Sequence, residues 1–117
     1  MSYYDQMERA NLALRRALMD FEGDMREYLQ KVRNHRILRS NSNQDLSGCI
    51  ADGERIIDML NKAAGALDWV DGRVYPFLYS LEDMVKNFNA NYCYLGVGLP
   101  DPNAFYEELN FYIKNSY

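Results

Sequence analysis

The chain predicts an all-α fold: a small antiparallel helical bundle of about four helices in one domain, with a long first helix and a glycine-containing loop before the last. Three observations carry that prediction. Met7, Leu14, Phe21 and Tyr28 recur every seven residues, with Leu18, Met25 and Val32 between them at the other heptad spacing. One apolar seam therefore runs along roughly seven turns of helix and has to be buried against the later segments. Polar or proline-marked breaks divide the remainder into pieces of helical length. The one alternating patch, near residue 95, has no second strand to pair with.

The first helix is expected to begin near Ser2 or Tyr3. Asp5 and Glu8 suit the positive end of its dipole, and Lys31, Arg33, His35, Arg36 and Arg39 suit the negative end. Asn11 stands where a further seam residue would be. Gly23 interrupts the run at a cost of roughly 1 kcal/mol of helix propensity, and a close helix crossing or slight bend is expected there. Residues 39–44 are polar and aperiodic, hence a turn, and Ser42 with Asp45 approximates a capping box that launches the second helix.

That helix presents Leu46, Cys49 or Ile50, Gly53, Ile56 or Ile57, Leu60, Ala63 or Ala64, and Leu67. Its small residues imply a close neighbour. A break falls between Leu67 and Tyr75, with Trp69 expected to plug the base of the bundle. Trp69-Val70-Asp71-Gly72 is one residue too long for a Trp-x-Gly turn, and no family resemblance is drawn from it. The third helix is expected over about 76–89, because Pro76 suits a first turn and not an interior. Tyr92 to Leu99, jointed by Gly96 and Gly98, reads as a loop packed across the bundle. Asp101 as N-cap and Pro102 as first helical residue then start a last helix to about Asn115, with Phe105, Leu109, Tyr112 and Ile113 inward.

Composition narrows the function classes. A length of 117 residues allows one sizeable core, and 48% hydrophobic residues argue against disorder. With 13 Lys+Arg against 17 Asp+Glu the net charge is -4, which gives no global attraction to nucleic acid or anionic lipid. No apolar run approaches bilayer-spanning length, and the first five residues carry neither a basic nor an apolar leader region, so a cytoplasmic location is expected. Cys49 and Cys93 both sit among apolar positions and are expected to be reduced and buried.

Chemistry finds little to use. His35 is the only histidine, so no zinc cluster or Ser-His-Asp set can be assembled in the usual way. Asp20 with Asp24, and Glu54 with Asp58, are paired four apart as in carboxylate bundle sites, but the Glu-x-x-His motif that completes such sites is missing. Gly96-Val97-Gly98 lacks the Lys-Ser/Thr of a phosphate loop. No catalytic, metal or cofactor residue is assigned, and the chain is not expected to be an enzyme.

Two features point to contact instead. The run Lys31, Arg33, Arg36 and Arg39 contains no acid, and ten tyrosines crowd toward the carboxyl end. Tyrosine combines a packing ring with a polar tip and is enriched at interfaces. The expectation is a protein–protein interaction module (adaptor, inhibitor or assembly subunit) using Lys31, Arg33, Arg36 and Arg39 with Tyr92, Tyr94, Tyr106, Tyr112 and Tyr117. Two alternatives use the same features. A nucleic-acid-binding or nucleoprotein component would use the basic patch and lose affinity steeply with salt. A homo-oligomeric structural protein would pair an uncovered stripe of the first helix with its equivalent in a second copy.

Overall fold

The seam residues fold within one continuous helix, because nothing between Met7 and Val32 forbids it and the seam positions from Leu14 to Val32 find cover. A computed structural model of the chain shows α1 (Tyr3–Leu38), α2 (Leu46–Ala66), α3 (Val74–Tyr92) and α4 (Asn103–Asn115). There is no strand among the described residues. The structure describes residues 3–38, 46–67, 74–93 and 98–115, with side chains for 8–34, 46–67, 78–93 and 98–114. The expected cap at Ser42 and Asp45, the Trp69 plug and the side chain of Met7 lie outside that set.

At 36 residues and 1.5 Å per residue, α1 is about 54 Å long. It sets the long dimension of a rod measuring 59 × 20 × 20 Å. Its radius of gyration of 16.0 Å exceeds the roughly 13 Å of a rounder domain near this size. Leu14, Leu18, Phe21, Met25, Tyr28 and Val32 are all buried, as the heptad pattern requires, and Leu29 joins them. Burying each such side chain is worth roughly 1.5–3 kcal/mol.

Three contacts set the direction of α2 along α1. Leu29 lies against Gly53, Arg33 bonds Glu54, and Asn11 donates from Nδ2 to the Leu67 carbonyl at the far end. The two helices are therefore antiparallel. Asn11, the polar member of the seam, satisfies a carbonyl that the end of α2 would otherwise leave without a partner. The close approach falls at Gly53, where an added Cβ would stand 2.5 Å from Leu29 Cδ2. Gly23 is exposed and a Cβ there would meet nothing within 4 Å, so the crossing expected at Gly23 is absent.

α3 returns antiparallel to α2, tied by the Tyr92 hydroxyl donating to Asp52 Oδ2. It is longer than the expected 76–89. Pro76 occupies the third position, still within the first turn where its missing N–H costs nothing, so the helix starts at Val74. No glycine or proline follows Asn89 before Gly96, and the helix runs on to Tyr92. Tyr92 is thus helical rather than part of the loop.

α4 begins as its sequence dictates. Asp101 Oδ1 accepts from the Asn103 amide at 3.0 Å, and the Tyr106 amide donates to the Pro102 carbonyl at 2.9 Å. Phe105 stacks on Phe21 with centroids 5.7 Å apart, and Leu109 and Tyr112 complete the buried stripe. α4 lies along α1, while its contact with α3 is light.

Candidate functional site

The basic end of α1 is engaged within the molecule. Arg33 pairs with Glu54 of α2, and Lys31 reaches Glu27 one turn back at 4.0 Å. The side chain of Arg36 and the whole of Arg39 lie outside the described residues, as does the side chain of His35. Exposed pairs of this kind are worth roughly 0–1 kcal/mol each, so they orient the side chains without removing them from solvent.

The described carboxyl-terminal tyrosines differ in burial. Tyr112 is buried in the core, and Tyr92 is half-buried with its hydroxyl on Asp52 and its ring 4.9 Å from Phe88. Tyr106 is half-buried on Phe105, with the Lys86 ammonium 5.6 Å from its ring centroid. Its hydroxyl is buried with no hydrogen-bond partner among the described residues, and burial followed by the nearby Glu82 carboxylate raises its pKa above the usual phenol value. Tyr94 and Tyr117 lie outside the described residues. The basic end meets α2 through Arg33, whereas Tyr92 meets it from α3 and Tyr106 sits on α4. Arg33 and Tyr92 thus bond acids two residues apart in the first half of α2, Glu54 and Asp52.

The cysteines differ from each other. Both are free, but only Cys49 is buried, whereas Cys93 is exposed. The correction follows from the added turn of α3, which carries Cys93 to the helix end, where its thiol donates to the Ala90 carbonyl at 3.6 Å. Cys49 shares a hydrogen bond with the Tyr28 hydroxyl at 3.8 Å, and Tyr28 packs edge-on against Phe88. Burial, then this contact, pushes the Tyr28 phenol well above its ordinary value. Burial likewise pushes the Cys49 thiol up.

Five of the acids with described side chains, Glu22, Glu27, Glu54, Asp58 and Glu82, are paired with cations. Glu22, buried on α1, bonds Arg26, and Asp58 and Glu82 bond Lys62 and Lys86 at 2.9 and 3.1 Å. Glu54 and Asp58 are therefore ion-pair partners on separate cations. Among the described residues no group of three His, Cys, Asp or Glu side chains converges as metal ligands would. No helix of the described residues is long and apolar enough to cross a membrane.

Three surface features were not evident as sites in the sequence. A cleft of about 170 Å³ between α2 and α3 is edged by Asp52, Arg55, Asn87 and Asn91. A groove of about 280 Å³ runs between α1 and α4, floored by Ala13, Ala17, Ala104 and the stacked Phe21 and Phe105. On the outer face of α1, Leu12 and Met19 are 56% and 47% exposed, one heptad apart, on the side that α2 and α4 leave uncovered. The sequence signal for that pair was present as a second seven-residue spacing, overshadowed by the stronger seam. No family model matches the chain, and neither a curated protein nor a solved structure is significantly similar to it.

Proposed function

We propose that the chain is a non-enzymatic protein–protein interaction module, an adaptor, inhibitor or assembly subunit that presents a preformed helical face to its partner. One observation carries the reading: Leu12 and Met19 stand exposed one heptad apart on a helix whose other large apolar side chains, among the described residues, are covered. Large apolar side chains at heptad spacing are what a helical face offers to a second helix. The rod supports them rigidly, because α1 is anchored on opposite flanks by α2 and α4 and needs no rearrangement to bind. Arg15 and Arg16 flank the pair in sequence and give the face a polar border.

The test is recovery of a stoichiometric partner from the native source with the wild-type chain and with Leu12→Asp/Met19→Asp. Both positions face solvent, so the variant is expected to keep the wild-type melting temperature. The expected result is one protein retained by the wild type and lost by the variant. Retention of the same protein by both would remove this face from the account, and absence of any partner would end the reading. Arg33→Ala/Arg36→Ala/Arg39→Ala, tested alongside, reports whether the basic end belongs to the same face.

A further inference from the structure

We propose that the groove between α1 and α4 is a second contact site, and that its occupant is a basic amphipathic helix of a partner protein. The groove's floor is apolar and narrow: Ala13, Ala17 and Ala104 keep it low, and the Phe21–Phe105 stack closes it below. Its volume of about 280 Å³ is at the small end for an enclosing small-molecule site, roughly 300–1,000 Å³. It suits a few side chains of a surface laid over it. On α4, Ala104, Glu108 and Phe111 follow at i, i+4 and i+7, so the 52%-exposed Phe111 extends the same bank.

Charge decides what that surface is. Asp20 and Asp24 stand on the α1 bank and Asp101 and Glu108 on the α4 bank, against the single cation Arg16. Among the described residues no cation lies within ion-pair distance of Asp20, Asp24 or Glu108, although Glu22, Glu27, Glu54, Asp58 and Glu82 each have one. The four carboxylates border one groove, two contributed from each side of it. A second copy docking through this same face would oppose acid to acid. Nucleic acid and anionic lipid would be repelled in the same way. A helix carrying Lys or Arg along both edges of a narrow apolar stripe satisfies the carboxylates and covers the floor at once.

The site is separate from Leu12 and Met19, and its test does not depend on theirs. The probe is an amidated 18-residue peptide with leucine and alanine on one helical face and lysine on the other; the control carries glutamate for every lysine. Binding is read by calorimetry and by the methyl signals of Ala13, Ala17 and Ala104. The lysine peptide is expected to bind and shift those methyls, and the glutamate peptide to do neither. Asp20→Asn/Asp24→Asn/Glu108→Gln is expected to weaken binding about tenfold, the sum of three modest exposed charge pairs. Asp83→Asn/Glu107→Gln, outside the groove, is expected to leave it within about twofold. Should the triple variant not fold, loss of wild-type affinity in added salt makes the same measurement. Failure of the lysine peptide to bind, equal binding of the glutamate peptide, shifts confined to other methyls, or a concentration-dependent dimer that fills the groove would each overturn the proposal.

Discussion

Cys49 and Tyr28 share one hydrogen bond inside the core, and both are held in their neutral forms by burial. Their ordinary values are 9.0 and 10.0, and folding raises both. In the unfolded chain these protons leave at lower pH than in the folded one, so the folded state binds more protons above about pH 9. The stabilisation is complete below the unfolded values and is lost as pH rises toward the folded ones. The melting temperature is therefore expected to hold near neutral pH and fall above about pH 9, and Cys49→Ala should flatten part of that decline. A melting curve with the same alkaline slope in wild type and variant would contradict the assignment to Cys49. The same burial separates the two thiols in reactivity, because the thiolate is the nucleophile. Exposed Cys93 should react with a thiol reagent in the folded protein, and Cys49 only on unfolding.

At the scale of the element, two glycines that look alike in sequence have opposite roles. Gly53 is buried with Leu29 pressed against it, whereas Gly23 faces open solvent in the middle of α1. Gly23→Ala should stabilise the chain by about 0.5–1 kcal/mol through helix propensity alone. Gly53→Ala gains the same propensity and is outweighed, since overpacking a filled core costs about 1–3 kcal/mol and Leu29 is itself fully buried. Urea titrations of the two variants should move in opposite directions, and movement in the same direction would show that α2 can step away from Leu29. Periodicity could not make this distinction, because it records which residues share a face but not how closely the next helix approaches. It did identify the seam, the small-residue face of α2 and the Asp101 start of α4, where the signal is local to one helix. It failed where position depends on a second element. Cys93 read as a buried thiol and lies in solvent, and Tyr92 read as part of a loop and is the last residue of α3. The groove was invisible for the same reason, since Asp20 with Asp24 and Asp101 with Glu108 are distant in sequence and meet only when α4 lies on α1.

Across the whole molecule the helices are not held equally. α1 is covered by α2 along most of its length and by α4 beside it, and α2 is held between α1 and α3. α3 and α4 each have one firm neighbour, α2 and α1 respectively, and touch each other lightly, with Lys86 over the Tyr106 ring. An element with fewer apolar contacts opens at lower free energy than the rest of its domain. Amides of 103–115 are accordingly expected to exchange with deuterium faster than those of the buried stretch of α1, and uniform protection across both would refute that ranking. Resting chiefly on α1, this last helix also makes a reporter. Any guest that bridges its bank to the central rod must close the opening fluctuation in proportion to occupancy, slowing exchange at peptide groups the guest never touches.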